Sequence, residues 1–344
     1  MADTRISALA ALTGANLADT DLAVVVDVSD TSMAASGTNK DMTAAELQIG
    51  LDQTLATDGK RLTALAAEPS APASGSLLVY AKNIAGRSML KQIGPSGLDT
   101  ALQPLLARNK VGYWNPPGNA TTVPGVFGYT APTLSSATAT ARNIATTNLF
   151  TRMRRLGYVT SATAGQVASV RVTVAQVTIG TGTLGGFYKI IRFGISDAAA
   201  VSGARMFVGM SSSTAAATNV EPSTLTNCIG IGHGASDTNL RIFFGGSSAQ
   251  TSIDLGSSFP ANTRNVDAYE LALFAPPSVA EVRYEVTNIS TGIVATGTLG
   301  PGTAGVTLPA STTLLTYANN WRTNNATALA VGLDIMSDYI ETDT

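Results

Sequence analysis

The stretch VDAYELALFA (266–275), with VRYEVTNI (282–289) and GIVATGTL (292–299) after it, decides the fold. Tyr269, Leu271 and Leu273 recur at every second position, and so do Val282, Tyr284 and Val286. A period of two means a strand with one buried face. Working outward toward the N-terminus, the same texture returns in VASVRVTVAQVTI (167–179), FYKIIRFGI (187–195), ARMFVGM (204–210), CIGIG (228–232) and LRIFF (240–244). Toward the C-terminus it returns in ATALAVGLDIMSDYIE (326–341), where Leu329, Val331, Leu333 and Ile335 alternate onto one face. No helix-length segment separates these runs, so residues 156–344 are expected to form an antiparallel β-sandwich of jelly-roll type.

Composition agrees with a mainly β chain. Charged residues are only 13% of the 344, and Ala, Thr, Ser and Gly fill the space that Glu, Lys and Leu would take in helical bundles. Cys228 is the only cysteine and His233 the only histidine, so neither a disulfide framework nor a Cys/His zinc site is expected. No run of about 18 apolar residues is present and no long apolar h-region follows Asp3 and Arg5, so neither membrane insertion nor export by the general secretory route is expected.

The net charge of −2 conceals three blocks. Residues 1–68 carry 4 basic and 10 acidic side chains, residues 69–155 carry 9 basic and only Asp99, and residues 156–344 carry 8 basic and 12 acidic. We read these as an N-terminal module, a basic connector and the sandwich. Salt limits the reach of such blocks to about 8 Å, so neutralisation between neighbouring segments is favoured over long-range steering.

In the first block, Leu22 to Val28 reads as a strand and Ser29 to Lys40 as turn-rich, and a short helix is expected after Thr43, which with Glu46 makes a capping box. Ile6, Leu9 and Leu12 share one face of a helical turn, Leu55 to Ala67 suggests a further helical piece, and EPSAPASGS (68–76) reads as a linker. The wording ISALAALTGANLADTDLAVVVDVSD (6–30) with TSMAASGTNKDMTAAEL (31–47) resembles the N-terminal segment of a group of tailed-bacteriophage virion proteins. A second cassette, LLVYAKNIAGR (77–87) with IGPSGLDT (93–100), resembles phage tail and fibre proteins, and residues from Arg205 to the end resemble the C-terminal domain of some of them. The resemblance implies a virion structural protein, assembled in the host cytoplasm, that docks on other virion proteins through residues 1–68. It also implies a tail fibre or spike, usually a homotrimer. A head decoration protein, or a connector or adaptor with a scaffolding role, is the alternative. A glycan-degrading tailspike ranks lower, because no 20–30-residue repeat of a β-helix is visible.

Val111 to Thr151 is rich in Pro, Gly, Thr and Ala, and its short strands are expected to pack against neighbouring subunits. The cluster Arg152, Arg154 and Arg155 lacks interleaved aromatics for base stacking, so protein pairing is expected rather than nucleic acid.

No catalytic, cofactor or metal residues are assigned. Gly180, Gly182 and Gly185 match a dinucleotide fingerprint, but FYKIIRFGI follows where a helix is required, so a hairpin loop is expected. His233 would have to act alone beside Ser211, Ser212 and Ser213, which lack a nucleophile-elbow context. Asp334, Asp338, Glu341 and Asp343 read as solvated charges on a strand edge and tail, with Asp334 and Asp338 on one face, rather than as a glycosidase pair. Cys228 reads as a buried small hydrophobe. Host contact, if it involves a surface glycan, is assigned to three polar loops, Ser211 to Thr226, Gly232 to Asn239 and Gly245 to Ser252, and in particular to Ser212, Thr214, Asn219, His233, Asp237, Asn239, Ser247 and Ser248, with inert solvated loops as the equal alternative. Tyr317 and Trp321 are read as core, with an aromatic sugar platform as the alternative.

Overall fold

The computed structural model describes residues 22–27, 38–43, 61–73, 75–94, 99–101, 110–121, 133–135, 137–181, 185–277 and 279–342. By contacts the chain divides into Met1–Thr63 and Ala64–Thr344. In the first unit, β1 (Leu22–Asp27) and β2 (Thr38–Thr43) pair antiparallel, with Leu22 opposite Thr43. Thr43, expected as a helix cap, therefore ends a strand. The helix expected beyond it and the helical turn at Ile6 to Leu12 lie outside the described residues.

The second unit opens with a small sheet of β3 (Ala64–Leu65), β4 (Leu78–Ile84), β5 (Arg87–Ile93) and β6 (Asp99–Ala101). Ala64 and Leu65 were expected to be helical; pairing with Ala81 and Lys82 makes them extended instead. Ala85 and Gly86 join β4 to β5 with φ of 50° and 76°, the two positive values that a tight hairpin turn needs. Glu68 accepts hydrogen bonds from Lys82 Nζ at 2.8 Å and Lys91 Nζ at 2.9 Å, which anchors the start of the proline-containing linker. Burial would raise the Glu68 pKa, but the two lysines outweigh it and hold the carboxyl at about 2.

The remaining strands are β7 (Lys110–Trp114), β8 (Thr133–Ser135), β9 (Thr138–Arg142), β10 (Arg155–Val159), β11 (Val167–Arg171), β12 (Ala175–Val177), β13 (Phe187–Ile195) and β14 (Arg205–Ser211). They continue as β15 (Cys228–His233), β16 (Arg241–Gly245), β17 (Ile253–Asp254), β18 (Ala268–Ala275), β19 (Val282–Asn288), β20 (Ile293–Leu299), β21 (Leu315–Thr323) and β22 (Gly332–Thr342). One helical turn, α1 (Leu149–Arg152), is capped by Asn148, whose side chain accepts from the Thr151 backbone.

Among the described residues these strands make two eight-stranded sheets. Sheet I runs β20-β19-β18-β13-β22-β10-β9 with β7 also on β22, and sheet II runs β17-β16-β15-β14-β21-β11-β8 with β12 also on β21. All the pairings within the two sheets are antiparallel. Phe193, Leu271, Val286 and Leu333 of sheet I share one core with Val170, Val208, Ile231 and Leu315 of sheet II, so the sheets form a jelly-roll-like sandwich.

Several expectations change here. The short strands between Val111 and Thr151 pair within their own chain: β7 with β22, β8 with β11 and β9 with β10. Sharing the ladders of a large sheet is what lets such sparse strands be buried. Gly185 and Gly186 both have positive φ, and Gly186 N–H donates to Thr178 O at 3.0 Å, so the two ends of the glycine segment meet as a hairpin loop requires, although β12 and β13 on either side of it belong to different sheets and Gly182 lies outside the described residues. Leu329 lies before β22 and is 40% exposed, while Leu333 and Ile335 enter the core.

β22 is no edge strand: it lies between β13 and β10, and Asp334, Asp338 and Glu341 are all buried. A register shift where Arg192 faces Ser337 and Phe193 faces Ile335 inserts one residue, Met336. Such a bulge turns the following side chains to the other face. Asp334 meets Arg155 Nε at 3.0 Å and Arg142 Nε at 3.2 Å, whereas Asp338 faces the core and pairs with the fully buried Lys189. Glu341 pairs with Arg87 of the small sheet, and Arg87 also lies over the Tyr188 ring at 4.7 Å. Of the basic cluster, Arg155 is buried over Phe150, while Arg152 and Arg154 are exposed.

Candidate functional site

The outer face of sheet II carries an apolar patch that another part of the chain covers. Alternation in β21 turns Asn319 and Trp321 outward, and β14 places Phe207 opposite Trp321. The two rings lie 6.3 Å apart between centroids at 31°. Gly230 of the neighbouring strand makes room for Phe207, since a Cβ there would sit 2.7 Å from the ring's Cζ. Val167, Phe207, Cys228, Phe243 and Trp321 form an apolar cluster separate from the main core, and Ala217, Val220 and Leu225 pack on it. Burial pushes the Cys228 thiol up to about 12.

Those last three residues belong to the β14–β15 connection, which folds back over the sheet as a flap. Its base is closed by Ser212 N–H donating to Asn227 O at 2.9 Å. Arg171 Nε donates to Thr214 O at 2.9 Å. Its far end is held by Arg205, which donates to Glu221 at 2.8 Å and to Asn219 at 3.0 Å. Between flap and sheet lies a cavity of about 110 Å³, lined by Phe207, Trp321, Asn319, Ser213, Thr218 and Leu225 among others. Asn319 is 6% exposed, and its Oδ1 has no hydrogen-bond partner among the described residues.

At one end of the sandwich, Arg322 is wholly buried and donates to both carboxylate oxygens of Asp197, to Asn262 at 3.2 Å and, through Nη1, to His233 Nε2 at 2.7 Å. His233 Nδ1 lies 3.1 Å from Gly234 O, so the neutral ring donates there and accepts from Arg322. Burial first, and then the Arg322 charge, hold the His233 pKa down at about 3.

The structure does not gather the sequence-assigned host-contact residues into one surface. Antiparallel pairing puts Ser211 opposite Cys228 and Met206 opposite His233. Ser212, Thr214, Ser247 and Ser248 thus lie at one end of sheet II, and Asn219, His233, Asp237 and Asn239 at the other. About five residues of strand, roughly 17 Å, separate the ends. His233 is buried, which removes it from any contact surface. Asn219 is engaged by Arg205 and Thr323, Asp237 by Gly234 N–H at 2.7 Å, and Asn239 by Asp254 at 3.1 Å. Thr214, Ser247 and Ser248 are exposed. Ser211 to Ser213 and His233 are likewise at opposite ends, so they make no triad. No group of three His, Cys, Asp or Glu able to hold a metal ion occurs among the described residues.

Sequence reading passed over β21, the partner of β14, β11 and β12. It also passed over Asn319, the flap and the Asp197–Arg322 pair. The available signal was Tyr317 and Trp321, two aromatics at even spacing, masked by the Asn and Thr around them.

No family model and no curated protein matches the chain. Among solved structures, arcelin-5, a lectin-like defence protein from Phaseolus vulgaris, aligns over 68% of this chain and 98% of its own with 11% identity and a TM-score of 0.44. Lectin II from Ulex europaeus aligns over 69% of this chain and 100% of its own with 10% identity and a TM-score of 0.44. A protein of unknown function from Shewanella oneidensis MR-1 aligns over 68% of this chain and 87% of its own with 10% identity and a TM-score of 0.42. The fold class stands on this chain's own strand pairing and shared core.

Proposed function

We propose that this chain is a non-enzymatic structural protein of a tailed-bacteriophage virion, a fibre- or spike-type appendage whose residues 1–68 dock on the particle and whose sandwich meets host surface glycan. The observation that carries the reading is the division of the chain at Thr63–Ala64, beyond the end of the first phage-like cassette at Leu47 and near the end of the span assigned to docking. A part that docks and a part with its own complete core are what an attachment module with an interchangeable outer region requires. The second cassette gives further support: its turn IAGR supplies Ala85 N–H to Glu285 at 3.1 Å and Arg87 to Glu341, so it anchors the small sheet to the sandwich. The assembly is a homotrimer in this reading, and the acidic first block and basic second block help neutralise neighbouring segments.

Quantitative mass spectrometry of purified particles tests it. An appendage is present in a small multiple of three copies per tail. A copy number matching the head shell would replace this reading with head decoration, and absence from particles would end both.

A further inference from the structure

The cavity beneath the flap has the chemistry of a sugar subsite. Phe207 and Trp321 offer an apolar wall, and Val220 and Leu225 close it from the flap side. No charged side chain among the described residues lines it, which suits a neutral ligand. Asn319 Oδ1 is an acceptor taken out of water without a partner, which is unfavourable unless a donor from outside reaches it. Ser213 and Thr218 add hydroxyls that can donate or accept at the mouth. A space of about 110 Å³ admits one substituent and the adjoining edge of a ring, not a chain of sugars.

We propose that this cavity takes one N-acetylated sugar unit, whose amide N–H donates to Asn319 Oδ1 while its methyl group packs against Val220 and Leu225 with Trp321 beneath. An acetamido group is the common sugar substituent that joins a neutral donor to a small apolar end, matching the one unpaired acceptor and the apolar wall. The assignment deepens the proposed function and rests on its reading of the sandwich as the glycan-facing part.

The test uses the full chain and free sugars. Saturation-transfer NMR and tryptophan fluorescence titration are run with N-acetylglucosamine and N-acetylgalactosamine, against glucose and galactose. The acetamido methyl should receive the strongest transfer, and the unacetylated sugars should bind at least tenfold more weakly. Ala217→Phe, which fills the cavity from the flap, and Asn319→Leu, which removes the acceptor, should each weaken binding at least tenfold. Should Asn319→Leu fail to fold, Thr218→Val on the exposed flap should still weaken binding severalfold. Failure of both acetylated sugars to bind, or undiminished binding by Ala217→Phe, overturns the subsite. Neither result alters the copy number in particles, so a failed subsite and a failed virion reading are told apart.

Discussion

Asp334 and Asp338 stand four residues apart on one strand, yet one faces Arg142 and Arg155 on the outer surface of sheet I and the other faces Lys189 in the core. A single inserted residue at Met336 causes the difference. Each carboxylate is consumed by its own cation, so the charges on β22 join elements together: Asp334 ties β10 and β9 to β22, and Asp338 ties β13 to it.

Removing one member of the Lys189–Asp338 pair should be costly. Asp338→Leu strands a buried ammonium and should lower stability by ~3–5 kcal/mol in denaturant titrations near neutral pH. Burial already pushes the Lys189 pKa down, and without Asp338 the folded protein sheds this proton more readily. The unfolded state then binds more protons than the folded, so the variant should regain stability as pH rises toward the ordinary lysine range. The double variant Lys189→Met, Asp338→Leu should recover most of the loss.

His233 predicts a pH dependence of the same sign and origin in a more acidic window. Its folded pKa of about 3 lies below the ordinary 6.5, so between these values the unfolded state binds the extra proton. Stability is therefore full above pH 6.5 and falls as pH drops, by at most about 1.4 kcal/mol per pH unit from this group. His233→Gln can still accept from Arg322 and should flatten the slope between pH 5 and 6.5 in urea titrations. An unchanged slope would mean that the ring is not buried neutral beside Arg322.

Gly230 tests the packing under the flap. Gly230→Ala puts a methyl 2.5 Å from Val208 O and 2.7 Å from the Phe207 ring. Overpacking of this kind should cost ~1–3 kcal/mol and shift Trp321 fluorescence. Gly94→Ala, with no atom of the described residues within 4 Å of the new methyl, is the control and should stay within about 0.5 kcal/mol.

The sandwich was legible because strands such as Tyr269–Leu273 and Val282–Val286 keep one face apolar at a strict period of two. β21 was not, because LTYANNWRT is polar on both faces: Arg322 is paired inside with Asp197, and Asn319 and Trp321 lie under the flap. The sequence likewise carries no sign of the Met336 bulge, which depends on a register with β13 set across more than a hundred residues. The loop assigned to recognition was polar as a solvated loop is polar, yet Ala217, Val220 and Leu225 within it were the residues that fold it onto the sheet.

The central claim is that residues 1–68 hold the chain on a phage particle and the sandwich points away. The most direct measurement attaches a gold-binding tag after Thr344 and images purified particles by electron microscopy. The account predicts label at discrete sites on the tail, displaced outward from its surface, and loss of all label when residues 1–68 are deleted. Label spread evenly over the head, or label retained after that deletion, would contradict it.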